Sequence, residues 1–197
     1  MKRRKAGRPV GPLVDRARLM KAALELLEEG GLEAVTMRAL GKRLGVNAMA
    51  AYHYFENKDA LLQAAAAQRY RQFRPRLHQR TAPARLLALG LGYARFLRRS
   101  RQLLVYLVTT EAALAGPAEH FERLFTLALA PTDCAPEGRQ VARNAFADLV
   151  HGFALAGPEA PLRFLADELL LLIHGMSRTS MGPAAGQPGD DVSSRRS

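Results

Sequence analysis

The five histidines of this 197-residue chain, His53, His78, His120, His151 and His174, fall in no HExxH or comparable metal-binding spacing. There is no glycine-rich GxxxxGK loop to cradle a phosphate and no GxSxG turn to expose a nucleophile, and the carboxylates are not paired for acid–base work. The sequence therefore predicts no catalytic set, no cofactor and no metal site. Cys134 is the only cysteine, which rules out an intrachain disulfide framework or a thiolate zinc cluster and fits a reducing, cytoplasmic compartment. The chemistry on offer is electrostatic. Twenty-nine Lys and Arg stand against 18 Asp and Glu, a formal charge of +11. The excess is uneven: residues 1–60 carry 12 basic and 7 acidic side chains, 61–110 carry 10 and none, and 111–197 carry 7 and 11. A polyanion should meet the first half. Because 24 of the 29 basic residues are Arg, the 61–110 block can equally be solvated surface.

The elements that must position these charges read as helices throughout. Apolar residues recur three and four apart and no alternating Val, Ile, Thr stretch occurs, so the expected class is all-α. A first helix starts near Asp15, buries Leu19, Ala23, Leu26 and Leu27, and ends at Gly30-Gly31. Thr36 is placed to cap a second helix, Met37 to Leu44, with Leu40 and Leu44 on its buried side. Gly45 stops that helix, and Asn47 can cap a third through Tyr54. Asn57 caps a fourth that starts at Lys58. Two short helices joined by a tight glycine turn have the geometry of a helix-turn-helix, whose second helix enters the major groove of DNA. Further helices are expected at Lys58–Arg74, Ala84–Arg99, Gln102–Ala115, Pro117–Ala130, Glu137–Leu155 and Pro161–His174, separated by proline and glycine breaks that include Gly116-Pro117. The basic start has no apolar segment behind it, and no run of about 18 apolar residues occurs, so neither a signal peptide nor a membrane span is expected.

The stretch ALELLEEGGLEAVTMRALGKRLGVNAMAAYHYFENKDALL closely resembles the N-terminal domain of tetracycline-repressor (TetR) family regulators, from about Arg16 to Ala64, about a quarter of the chain. The likeness rests on the AALELL helix, the glycine break, the Thr-x-Arg start, the LGV turn, the Tyr-x-Tyr-Phe and the Asn-Lys pair. It implies a homodimeric, ligand-responsive repressor of double-stranded operator DNA. It implies a helix-turn-helix DNA-binding domain (13–60) and a helical effector-binding and dimerisation domain (61–176), while composition marks a basic arm (1–12) and a disordered tail (177–197) rich in Ser, Gly, Pro and Asp.

The resemblance also implies roles for single residues. Arg38 stands where a family counterpart reaches a base edge, and can bond guanine bidentately or clamp a phosphate. Thr36 matches a threonine that caps and contacts phosphate, and Tyr52 and Tyr54 match aromatics that grip the backbone. For both tyrosines core packing is the competing role, more so for Tyr54. Lys58 matches a phosphate-holding residue at a helix N-terminus, where the dipole favours an anion. In the recognition helix, after the Asn47 cap, Ala48, Met49 and Ala50 replace positions that include polar base readers in the tetracycline repressor proper. Alanine and methionine can instead meet thymine methyls. His53 can reach a base or phosphate, or stay solvated. Arg8, between Gly7 and Pro9, can enter a narrow minor groove or remain in a solvated tail.

Downstream the likeness is of general form only. Tyr93, Phe96, Tyr106, Thr109, Phe121, Phe125, Asn144 and His151 are the candidates to line an effector pocket, with core packing the alternative for each. No tetracycline-type magnesium site is recognisable. The last two long helices are expected to form the dimer, through Ala142, Ala145 and Gly152 of one and the nearly all-apolar surface of the other, with Leu169 and Leu172 at the contact. An architectural DNA binder without an effector is the main rival reading.

Overall fold

The computed structural model describes residues 14–130, 136–157 and 159–179. These form nine α-helices and one 3₁₀ turn, with no strand among the described residues. The helices are α1 (Arg16–Ala34), α2 (Met37–Leu44), α3 (Met49–Tyr52), α4 (Lys58–Arg71), α5 (Ala82–Arg98), α6 (Arg101–Thr109), α7 (Ala115–Leu129), α8 (Pro136–Ala156) and α9 (Leu162–Thr179). The expected arm, Arg8 included, and residues 180–197 lie outside the described part, while α9 continues past Met176.

Local chemistry explains most boundaries. Asp15, Thr36, Asn57 and Thr81 each accept a hydrogen bond from the backbone N–H three residues on, which satisfies a donor that the first helical turn leaves free. At the far end of α1, Gly30 and Gly31 leave helical geometry, Gly31 at φ +69°. Gly45 ends α2 in the left-handed conformation that glycine adopts without strain.

Three expected helices differ. The third stops at Tyr52, leaving His53 and Tyr54 in a turn, and Asn47 caps it from one residue further out by accepting from Met49 N–H at 3.0 Å. The expected helix Gln102–Ala115 is cut at Thr110, which is extended (φ −133°, ψ 91°), so that only a 3₁₀ turn, Glu111–Ala113, follows. The β-branched run Val108, Thr109, Thr110 disfavours continuing. Conversely, Gly116-Pro117 does not break the chain but sits in the first turn of α7, where proline's missing N–H would have had no acceptor.

The core is contiguous. In the N-terminal part, α1 packs on α2 and α4 through Leu19, Ala23, Leu27, Leu40 and Leu61. In the larger part, α5 lies among α7, α8 and α9. Gly90 gives Leu169 its place: a Cβ there would come within 2.5 Å of Leu169 Cδ1. The two parts meet where α4 rests on both α1 and α7 and where α6 rests on α1. One carboxylate bridges them, since Glu28 of α1 accepts from Gln102 and Leu103 N–H at the start of α6, at 3.3 and 3.2 Å.

Arginines of the acid-free block help hold this body together. Arg85 donates to Ala128 and Ala130 carbonyls at the end of α7, Arg98 lies over the Phe153 ring and donates to Ala160, and Arg69 lies over Phe96.

Candidate nucleic-acid interface and ligand cavity

The helix-turn-helix is held at fixed geometry by backbone contact. A Cβ at Gly41 would lie 2.8 Å from the Val46 carbonyl oxygen and 2.9 Å from Ala48 N, so α2 and the entry to α3 touch with nothing between them. Val46 N–H donates to the Gly41 carbonyl at 2.9 Å. Ala51 is buried, and this sets α3 with its opposite side outward. A second brace runs to the start of α1. There Tyr54 donates its hydroxyl to the Val14 carbonyl at 2.7 Å, and Arg16 donates to the Tyr54 carbonyl and lies over Phe55.

On the outward side Met49 is 61% and Tyr52 48% exposed, and Asn47, His53 and Arg38 are exposed as well. Ala48 and Ala50 are half-buried. Thr36 is exposed at the start of α2 with its hydroxyl oxygen on Ala39 N–H, and Lys58 is half-buried in the first turn of α4. Among the described residues neither Arg38 nor Lys58 enters an ion pair. Arg43 differs: it forks onto Glu29 and approaches Glu25 at 3.5 Å, which takes its charge out of play. That hydrogen bond holds the Glu29 carboxyl below its ordinary range and raises the Arg43 guanidinium. Tyr54, for which packing was the stronger alternative, is 41% exposed, and its hydroxyl is taken up by the Val14 carbonyl.

A small cavity of about 120 Å³ opens between α5, α6, α7 and α8. Four candidates line it: Tyr93, Phe121, Asn144 and His151. The other four do not. Phe125 is fully buried in a ring cluster with Phe121 and Phe146, and Phe96 packs on Tyr70 and Phe73, with centroids at 5.1 and 5.0 Å. Tyr106 is buried, with Asp59 of α4 as its charged neighbour. Thr109 is exposed and returns its hydroxyl to the Val105 carbonyl. Each projects from a different side of its helix, and helical periodicity alone does not say which side meets the cavity.

Leu104, Leu107, Leu114 and Pro117 give the cavity apolar walls, and Tyr70 and Arg143, which sequence reasoning missed, add polar groups. Asn144, Ala147 and His151, spaced three and four apart, form one stripe of α8. The exposed Val141, Ala145, Asp148 and Gly152 form another, and the buried Phe146, Val150 and Phe153 a third. That three-way pattern was the available signal for Arg143, which stands beside the first stripe.

The polar groups are connected. Tyr93 Oη lies 2.9 Å from His151 Nε2 and 3.3 Å from Tyr70 Oη. Burial pushes the Tyr70 hydroxyl up to about 12 and the Tyr93 hydroxyl well above its ordinary value. Burial also lowers the His151 imidazole, with Asp148 partly opposing, and so favours its neutral form. Arg143, at the cavity's edge, is ion-paired with Glu122 and donates to Asn144 Oδ1.

A wider groove of about 710 Å³ runs between α1, α4 and the start of α6. Asp15, Lys21, Glu25, Glu28, Glu29 and Arg69 line it, so it reads as a solvated seam between the two parts. No three of His, Cys, Asp and Glu gather as metal ligands among the described residues, and no described helix is long and apolar enough to cross a membrane.

Residues 19–65 match the family described as bacterial regulatory proteins, tetR family. Over these residues, about a quarter of the chain, it carries a TetR-type N-terminal domain. The class C tetracycline repressor of Escherichia coli is 47% identical over 53 residues, 27% of this chain and 24% of that protein. The regulator BetI 1 of Chromohalobacter salexigens is 40% identical over 55 residues, 28% of this chain and 27% of that protein. These matches therefore span about a quarter of the curated relatives' length. Likeness of structure extends further. A variant TetR from Acinetobacter baumannii AYE, in complex with minocycline, superposes with a TM-score of 0.64 at 28% identity, covering 85% of this chain and 99% of that one. BioQ with its double-stranded DNA operator superposes at 0.68 and 20% identity, covering 84% and 99%, and so shares the fold. The likeness to TetR-family proteins thus rests on sequence for the helix-turn-helix and mainly on fold for the larger helical part.

Proposed function

We propose that this TetR-family chain is a sequence-specific DNA-binding transcriptional regulator, a repressor that binds operator DNA as a homodimer and is released by a small molecule. The observation that carries the reading is the outward side of α3 and the turn after it, with Met49 and Tyr52 exposed on the helix and His53 on the turn, braced by Gly41, Ala51 and the Tyr54 hydroxyl. A rigid exposed second helix is what major-groove reading requires. In this reading Lys58, Thr36 and Tyr52 hold phosphates, Arg38 reads a base edge, and Ala48, Met49 and Ala50 offer apolar contact to thymine methyls. Asn47 keeps the helix capped, Tyr54 braces it, and Arg8 belongs to an arm that adds a minor-groove contact.

The partner subunit would sit on α8 and α9. Val141 is 70%, Phe164 52% and Leu171 75% exposed, beside Ala145 and Gly152, where a second helix can approach closely. A partner's matching face would cover these exposed apolar side chains. Leu169 belongs elsewhere, fully buried in the chain's own core at Gly90. The division into a DNA-binding part ending near residue 60 and an effector and dimerisation part beyond it follows the same reading, with α4 shared by both.

Selection of genomic fragments by the full-length protein, followed by sequencing, tests the proposal. The expected result is a short palindrome with half-sites one helical turn apart, about 34–36 Å. Fragments sharing no sequence would favour an architectural binder instead.

A further inference from the structure

The cavity between α5 and α8 has a size and a chemistry that select among effectors. Its volume of about 120 Å³ is close to that of dry protein cavities of about 150 Å³ that take a single benzene. It lies below the ~300–1,000 Å³ of pockets for drug-sized ligands. Minocycline, bound by one structural relative, and stearoyl-CoA, bound by another, are each several times too large.

The walls are flat and apolar. Phe121 lies 4.7 Å from the Tyr93 ring, centroid to centroid, Leu104, Leu107 and Pro117 complete the apolar wall, and the exposed Val108, Ala118 and Asn144 form a mouth open to solvent. The polar end is the chain Tyr70 Oη, Tyr93 Oη and His151 Nε2. With its other bonds made to Tyr70 and His151, Tyr93 Oη keeps a lone pair that can accept from a ligand hydroxyl. The cation at the edge, Arg143, is already neutralised by Glu122.

Building on the ligand-responsive reading above, we propose that the effector is an uncharged single-ring aromatic alcohol of the phenol class, its ring against Phe121 and the leucines and its hydroxyl on the Tyr93–His151 pair. An aromatic ring meets aromatic walls in offset or edge contact. A neutral hydroxyl meets neutral partners, because burial holds both tyrosines protonated and disfavours imidazolium at His151. A carboxylate would be buried with no free cation beside it and with Glu122 near the edge.

The test is ¹⁹F NMR of 4-fluorophenol with the full-length protein, run beside 4-fluorobenzoate and minocycline, together with release of the selected operator. The expected result is saturable binding of 4-fluorophenol at one per chain, with no comparable binding of the other two. Tyr93→Phe keeps the ring and should weaken binding about tenfold, the loss of one hydrogen bond. Ala147→Leu fills the cavity and should abolish binding without lowering the melting temperature. Absence of 4-fluorophenol binding, undiminished binding to Ala147→Leu, or tighter binding of 4-fluorobenzoate would each overturn the assignment of ligand class. Release of the operator by minocycline alone would overturn it too, while leaving the ligand-responsive reading in place. If 4-fluorophenol binds and Ala147→Leu abolishes it, yet the operator complex does not respond, the class stands and ligand-responsiveness fails.

Discussion

Replacing Gly41 with alanine adds one methyl at the point where α2 meets the entry to α3. The nearest atoms, Val46 O at 2.8 Å, Ala48 N at 2.9 Å and Ala48 Cα at 3.1 Å, are all backbone, so no side chain can swing away to make room. Overpacking of this kind costs about 1–3 kcal/mol. The gain in helix propensity from glycine to alanine offsets about 0.5–1 of that. The net loss is up to about 2.5 kcal/mol, which lowers the melting temperature by up to about 10 °C in a chain of this size. Relief can only come from moving α3 away from α2, so DNA affinity should fall more than tenfold at temperatures where the variant is fully folded. Gly45 provides the contrast. Nothing lies within 4 Å of a Cβ there, but φ is +68°, so Gly45→Ala should lower stability through strain while Gly45→Asn is tolerated. Thermal unfolding by circular dichroism and fluorescence anisotropy on the selected operator measure both effects. A Gly41→Ala protein that binds the operator with unchanged affinity per folded molecule would refute the claim that this contact positions α3.

Three further outcomes are expected. Leu171→Asp should leave a folded chain but abolish the dimer in sedimentation at micromolar concentration, since Leu171 touches solvent in the single chain, whereas Leu169→Asp should unfold it. Lys58→Ala should weaken binding to all DNA alike and reduce the salt slope by about two, one for each subunit of the dimer, while Arg38→Ala should weaken the selected site more than random DNA by about 1–3 kcal/mol. The third is a pH effect. His151 binds its proton less readily when folded than at its ordinary value of 6.5, so the unfolded chain takes up more protons below that pH and stability falls on acidification. The loss begins below pH 6.5, apart from the Glu29 carboxyl, whose contribution is lost only below its ordinary value of 4.5. His151→Gln should flatten the melting temperature across that interval.

What the sequence disclosed was local in origin. Thr36 and Asn57 were legible as caps because each bonds the backbone three residues on, and Gly45 because a left-handed turn has a residue signature. Gly41 was not, because its reason is the backbone of Val46 and Ala48, five and seven residues away. The same limit explains the cavity. Asn144 and His151 share a stripe with the small Ala147, and that spacing carried a signal. Nothing in the spacing of Phe96, Tyr106, Thr109 or Phe125 distinguished the cavity side of a helix from its core or solvent side. Tyr70 lies near the end of α4, inside the expected helix Lys58–Arg74, whose spacing does not mark which side chains face the cavity. The second surface of α8, Ala145 and Gly152, was visible as a run of small residues, but Leu169 could be assigned to the chain's own core only once Gly90 was seen beneath it.

The central claim, that α3 and its surroundings read sequence, is tested most directly by one ratio. This is the affinity of the full-length dimer for the selected palindrome divided by its affinity for a random duplex of equal length, both at the same physiological salt. The account predicts a ratio of about 10³ or more, as specific regulators show. A ratio near one, with affinity still falling steeply as salt rises, would contradict it, because binding would then be carried by phosphate contacts alone.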